Sequence, residues 1–241
     1  MNGAADGART AAQYDAMARA YSDFNAVNAA NAHYERPATM ALLADLAGKR
    51  VLEAGCGGGT LTEWMIEKGA LVTAFDVSGE MAALTSERVG DRADIRQHDL
   101  QDPLAFAADA SFDVVVASLV LHYLRDWDPV LAEFRRVLAP SGLVVFSTHH
   151  PSWDWQGHSP EDYFAIKQVS ESWMRGGEPF EVTFWRRPLR AMTAAVRGAG
   201  LLIEDLVEAE PLPELAEKDP ESYEQLRTSP FFLHFCLRAR A

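Results

Sequence analysis

The sequence predicts an α/β protein whose mostly parallel sheet carries helices on both faces. Three observations lead there. From Gly48 onward, short apolar runs alternate with segments of helical period. Within one of them, Val114-Val115-Val116 has no polar alternation, as a strand buried on both sides requires. And one apolar run breaks into glycines directly before a helix-like stretch.

That run is Arg50-Val51-Leu52-Glu53-Ala54, the expected first strand, followed by the loop Gly55-Cys56-Gly57-Gly58-Gly59 and a helix over Thr60 to Lys68. Residues without side chains at a strand's carboxyl end let a nucleoside-bearing ligand approach the backbone. The dinucleotide fingerprint G-x-G-x-x-G needs its third glycine at Thr60, but here it falls one residue early, at Gly59. Glu53 followed by glycines at alternate positions favours a cofactor without phosphates.

A second strand, Ala70 to Phe75, ends in Asp76. An acid roughly 20 residues past the glycine loop is placed to grip a ribose through its hydroxyls. Ser78 caps the next helix, which carries Met81 and Leu84. A third strand is expected over Ile95 to Leu100, containing Asp99, and a fourth over Ser111 to Ser118. Asp128 is expected to cap a helix with Pro129 at its first position and Val130, Leu131, Phe134, Val137 and Leu138 on one face. The chain then turns at Ala139-Pro140-Ser141-Gly142 into a fifth strand. Pro188 opens another helix that Gly200 ends, and Leu201–Glu208 and Phe231–Leu237 read as two closing strands. The acids between Glu204 and Glu224 read as a solvated strand edge and loop rather than a cation site.

At 241 residues and 48% hydrophobic content, the chain suits one α/β domain over 1–241. Its parts are a helical leader (1–47, with Tyr14, Met17 and Tyr21 at helical spacing), a core (48–148), an aromatic insert (149–187) and a closing segment (188–241). Leader and insert must pack beyond the carboxyl ends of the strands, so they are expected to form the substrate pocket and its lid. A net charge of −13, with no basic cluster beyond Arg135-Arg136 and Arg186-Arg187, opposes a nucleic-acid partner. Two cysteines, no apolar run of membrane-spanning length and an amino terminus unlike a signal peptide point to the cytoplasm and to no membrane partner.

With the glycine loop, the acids Asp76 and Asp99, the Leu121-His122-Tyr123-Leu124 segment and Arg136-Val137-Leu138-Ala139-Pro140-Ser141-Gly142 in this order, the chain resembles the class I S-adenosylmethionine-dependent methyltransferases. More narrowly it resembles their small-molecule and ubiquinone/menaquinone-biosynthesis branch. The resemblance covers Gly48 to Thr148 motif by motif. It implies a Rossmann-like, seven-stranded sheet of order 3-2-1-4-5-7-6, with S-adenosylmethionine as cofactor and S-adenosylhomocysteine as product. It also implies the contacts. Gly55, Cys56 and Gly57 would lie against the methionine part and Glu53 would orient a water or the amino group. Asp76 would hold the ribose, with Val77 on the adenine face and Met81 nearby. Asp99 would accept from the adenine amino group beside Leu100, and Ser118 and Leu119 would meet the amino-acid end. Tyr21 or Tyr14 would cover the sulfonium or merely staple the leader. Gly58 stands where the family often has Pro or Thr, which loosens the loop.

Methyl transfer needs orientation above all, about 7–11 kcal/mol of the barrier, and a general base adds about 10²–10⁴-fold. His149, His150 and Tyr163 are the catalytic candidates. His149 and His150 follow the fifth strand at the rim where an acceptor must lie, and Pro151 holds His150 extended, so the two rings should point apart. Either ring taken alone fits loop hydrogen bonding as well. His122 is expected to pack with a ring nitrogen on a loop carbonyl. Of the insert's aromatics, half or more should form a core, leaving a few to line a small-molecule acceptor site. No metal is expected, because His33, His98, His158, His234 and the cysteines lack ligand spacing. A monomer or homodimer is expected. The readings set against a small-molecule methyltransferase are a cofactor-binding protein without turnover, a tRNA-modifying methyltransferase and a nicotinamide oxidoreductase.

Overall fold

The computed structural model describes residues 3–43, 45–158 and 161–240. Met1 and Asn2, on which the amino-terminal reading partly rests, lie outside them. Strands β1 (Arg50–Ala54), β2 (Leu71–Asp76), β3 (Asp94–Gln97), β4 (Phe112–Ala117) and β5 (Leu138–His149) run parallel. β6 (Lys167–Arg175) and β7 (Glu178–Arg186) form a separate antiparallel hairpin. β9 (Phe232–Ala239) lies antiparallel between β5 and β8 (Leu201–Val207). The seven-stranded sheet reads β3-β2-β1-β4-β5-β9-β8, the expected order once the closing strands are counted sixth and seventh.

Strand residues alternate between two buried layers, as a period of two in a doubly covered sheet demands. Leu52, Phe75, Val115, Val144 and Phe146 face one layer, which holds Trp127, Phe134 and Val196. Val51, Val72, Val114, Val116 and Val145 face the other, with Leu61 and Met65. The first layer is supplied by α5 (Asp128–Val137) and α7 (Leu189–Gly198), the second by α3 (Thr60–Glu67). β8 is the sheet's edge and is exposed along most of its length, and Glu204 pairs there with Arg238 at 2.9 Å. The carboxyl-terminal acids thus begin on a solvated edge, as expected.

Several boundaries differ from the sequence reading. Leu138 leaves the α5 face and opens β5, so residues 139–142 lie inside that strand rather than in a turn before it. α5 starts at Asp128 itself, and the carboxylate accepting from its N–H is that of Asp126, at 3.0 Å. The third strand stops at Gln97, so Asp99 and Leu100 sit in the turn beyond it, where the Asp99 carboxylate accepts from the Gln101 N–H.

The leader is α1 (Gly3–Val27), a π-helical turn over Asn31–Glu35, and α2 (Arg36–Leu42). α1 packs along α4 (Gly79–Val89) and against both hairpin strands. Ser78 caps α4 by accepting from the Met81 N–H at 3.0 Å and donates its own hydroxyl to Asp15 of α1 at 2.5 Å. α1 also explains Gly58, whose added Cβ would stand 2.0 Å from Ser22 Oγ and 2.9 Å from Ser22 Cβ. The glycine admits the leader helix rather than merely loosening the loop. Gly58→Ala is expected to cost about 1–3 kcal/mol. Ser22→Gly in the same chain should restore most of it, and a single variant that melts like the parent in denaturant would show that α1 is not held there.

Candidate active site

The site begins where β1 ends. Gly55 and Gly57 adopt φ of 74° and 54°, a left-handed geometry that glycine takes without strain. A Cβ at Gly55 would sit 2.1 Å from Val120 Cγ2, whereas nothing lies within 4 Å of one at Gly57. The first position needs glycine for packing. The second leaves bare backbone beside open space.

Asp76, at the tip of β2, closes this loop. Its Oδ2 accepts from the Gly57 N–H at 2.9 Å and its Oδ1 from the Ser78 N–H at 3.0 Å. Burial pushes the Asp76 carboxyl up to about 6 against those two stabilising bonds. Glu53 is more deeply affected: burial raises it to about 8 although the Thr62 hydroxyl donates to it at 2.6 Å. At neutral pH Glu53 is mostly a neutral acid, and Asp76 is ionised.

These groups line a cavity with about 1100 Å³ of empty space, its open mouth included. It spans the carboxyl ends of β3, β2, β1 and β4, from Asp99 and Leu100 through Asp76 and Val77 to Ser118 and Leu119. Tyr21, Glu53, Gly55, Cys56 and Gly57 also line it. Met81 does not: it is 1% exposed in a cluster with Tyr14, Met17 and Val182, because its position on α4 faces α1. Besides Glu53, the acidic side chains Glu35, Asp76 and Asp99 reach the cavity, and none of the described lining residues is Lys or Arg. Such a lining repels a diphosphate and favours a phosphate-free, cationic ligand. α1 lies on the same cavity, with Gly7 so close that a Cβ would meet Asp99 Oδ2 at 1.7 Å.

A second cavity, of about 980 Å³ with its mouth, adjoins the first and shares Tyr21, Asn31, Leu119 and Tyr123 with it. His149 lines it. The His149 ring stacks on His122 at 4.0 Å between centroids, meets Phe184 edge-on, and holds Nδ1 3.2 Å from Asp154 Oδ1, within ion-pair range but not aligned as a hydrogen bond. Asp154, on α6 (Pro151–His158), is 2% exposed. Among the described residues, His122 makes no loop-carbonyl bond. Its Nδ1 is buried without a partner among the described residues, and burial, then His149 and Arg187, hold its pKa well below the ordinary histidine value.

The two adjacent histidines do point apart. His150 turns away from both cavities and stays buried, its Nε2 3.0 Å from Glu208 and its Nδ1 accepting from the Ser152 N–H. Tyr163 is also distant from both. Its hydroxyl accepts from the Leu189 N–H at the start of α7, so it anchors the insert to that helix. Tyr14 and Tyr21 both line the first cavity, packed edge-on at 5.0 Å, and Tyr21 stacks on Trp173 of β6. Glu35, Asn31 and Tyr123 were not singled out by the sequence. Tyr123 had a signal in the Leu121–Leu124 segment, while Glu35 depends on the π-helical turn, which no local pattern announces. Among the described residues, no group of three or more His, Cys, Asp or Glu is arranged to hold a metal.

An acid-lined cavity with no Lys or Arg among its described lining residues thus lies at the strand tips of this sheet, beside a second, aromatic cavity. A methyltransferase domain family matches residues 52–146. The chain is 34% identical to the ubiquinone biosynthesis O-methyltransferase of Pseudomonas syringae pv. tomato over 172 residues, 68% of this chain and 69% of the relative. It is 38% identical to the same-named enzyme of Xanthomonas euvesicatoria pv. vesicatoria over 167 residues, 67% of this chain and 66% of that one. The crystal structure of an S-adenosylmethionine-dependent methyltransferase from Mesorhizobium loti superposes with a TM-score of 0.69 at 27% identity, covering 85% of this chain and 97% of the other. The chain belongs to the class I S-adenosylmethionine-dependent methyltransferases. It transfers the methyl group of that cofactor to a small-molecule acceptor.

The cavity fits this cofactor, a sulfonium cation that supplies an activated methyl group when bound. Bare backbone at Gly57, the Asp76 carboxylate and the lack of Lys and Arg among the described lining residues are the matching features. One expectation concerns pH. If Asp76 accepts from the ribose, its ionised form makes the stronger bond, so affinity is full above its pKa of about 6 and falls as pH drops through that value. S-adenosylhomocysteine is expected to bind about tenfold more weakly at about pH 5 than at about pH 8 in calorimetry. A flat profile would remove the ribose assignment.

Proposed function

We propose that the protein methylates a hydroxyl oxygen of a small, planar acceptor seated in the second cavity, with His149 as general base. The observation that carries this reading is His149 itself. It lines the cavity that adjoins the cofactor's, with one ring nitrogen directed to the buried Asp154 and the ring stacked on His122. The Asp154 carboxylate faces Nδ1 and would stabilise the ring once protonated, while Nε2 serves the acceptor. The hydroxyl oxygen forms the new C–O bond as the methyl–sulfur bond breaks. Its proton passes to His149, and the bonding pair returns to sulfur.

Tyr21, Trp153, Trp173, Phe231 and Phe232 give the second cavity aromatic walls, which suit a ring. That the relatives are named O-methyltransferases supports oxygen as the attacking atom. Single acceptors from a panel of catechols, phenols, anilines and thiophenols, incubated with labelled cofactor, should gain methyl on oxygen. Methylation confined to nitrogen or sulfur would sink the hydroxyl reading. A cofactor-binding protein without turnover would give His149 and Asp154 no task, and the acidic surface opposes a tRNA substrate. The same reading takes residues 1–241 as one cytoplasmic methyltransferase unit, monomeric or homodimeric, with Asp76, Asp99 and the glycine loop holding the cofactor. The lack of a helix long and apolar enough to cross a membrane, among the described residues, is consistent with it.

A further inference from the structure

Glu35 is a carboxylate with an unusual position. It ends the π-helical turn of the leader, is 2% exposed, and lines the cofactor cavity. Its Oε1 accepts three hydroxyls: Thr39 at 2.8 Å, Ser118 at 2.8 Å and Ser147 at 2.6 Å. These donors come from α2 and from the ends of β4 and β5, so the side chain is held by three elements. Its Oε2 makes no hydrogen bond among the described residues and is not among the fully enclosed unpaired atoms.

Hydroxyls orient a carboxylate but do not neutralise it. A charge removed from water is retained where a counter-charge meets it. No Lys or Arg salt bridge reaches Glu35 among the described residues. Neighbouring Arg36 commits its guanidinium to Asn25, at 2.8 Å and 2.7 Å. His234 is the nearest basic group, with Nε2 3.9 Å from Oε1 and closer, at 3.3 Å, to the Glu35 carbonyl. Arg36 interacts with Glu35 only through space, and Glu35 also lines the cavity.

The sheet fixes which part of the cofactor would arrive there. Asp99 follows β3 and Ser118 follows β4, three strand spacings or about 14 Å apart in the order β3-β2-β1-β4. With the ribose at Asp76 on β2, the amino-acid end extends toward β4, where Ser118 donates to Glu35. That end carries an ammonium. The sulfonium is the poorer match, since its charge is dispersed on the way to the transition state and a carboxylate on it would stabilise the ground state more than the transition state.

We infer that Glu35 binds the α-ammonium of the cofactor's methionine moiety and anchors the amino-acid end of the cofactor to the leader. The ammonium keeps its charge throughout the reaction, so the contact is uniform binding: removing it raises KM for the cofactor and leaves kcat unchanged.

The test is calorimetry of the full chain and of Glu35→Gln with S-adenosylhomocysteine and with 5′-methylthioadenosine, which has no amino-acid part. The variant is expected to bind S-adenosylhomocysteine about 10- to 100-fold more weakly and 5′-methylthioadenosine unchanged. Equal loss for both ligands would make Glu35 a structural residue and overturn the inference, as would no loss for either. Should Glu35→Gln fail to fold, Glu35→Asp retains the charge on a shorter arm and is expected to show the same selective loss at smaller size, with equal or absent losses again overturning it.

Discussion

Replacing His149 with alanine is expected to lower kcat by about 10²–10⁴-fold toward a hydroxyl acceptor while leaving S-adenosylhomocysteine affinity within about twofold. The split follows from geometry, since His149 lines the second cavity and not the first. Some rate should survive, because alignment of acceptor and methyl group supplies about 7–11 kcal/mol without any base. Asp154→Asn should give an intermediate loss, as it keeps the buried volume but removes the charge that stabilises a protonated His149. An acidic phenol, already ionised at the assay pH, needs no base, so it should be methylated by His149→Ala nearly as fast as by the parent. A variant equally slow on ionised and neutral phenols would show that the ring positions the acceptor rather than taking its proton. His122 belongs to the same argument. Held neutral by burial, it offers His149 a stacked face without competing for the proton.

How far the sequence reached depends on how local each determinant is. The glycine loop, Asp76 and Ser118 are set by strand ends and a period of two, so their shared cavity followed from order alone. Side-chain direction is not local. Met81 lies one turn into a helix whose buried face turns to α1, and Tyr163 is drawn to the start of α7 by a backbone N–H. His149 and His150 diverge as extended geometry before Pro151 dictates, but which ring enters the cavity is decided by Glu208 on one side and Phe184 on the other. Glu35 was hidden because an extra residue in a π-helical turn shifts the register that a 3.6-residue period predicts. The hairpin had a legible signal that the aromatic content masked. Gly176-Gly177, at φ of 60° and 87°, is a two-residue turn between alternating strands.

Asp76→Ala is expected to weaken S-adenosylhomocysteine binding by about 10- to 100-fold, the equivalent of about one charge-assisted hydrogen bond to the ribose. The structure adds a complication that sharpens the test. The same carboxylate accepts from the Gly57 and Ser78 N–H groups, so the alanine variant also frees the glycine loop from β2. Asp76→Asn separates the two effects, because its amide oxygen can still accept one of those N–H bonds while the negative charge is gone. If the ribose contact dominates, Asn and Ala should lose comparable affinity and the loss should disappear for a 2′,3′-dideoxy analogue of 5′-methylthioadenosine. If loop order dominates, Asn should recover most of the affinity and the dideoxy analogue should lose as much as its parent. The comparison with Glu35→Gln is equally direct. Asp76 variants must weaken 5′-methylthioadenosine, which retains the ribose, whereas Glu35→Gln must spare it. Indistinguishable ligand profiles for the two variants would mean that neither carboxylate reads its own end of the cofactor.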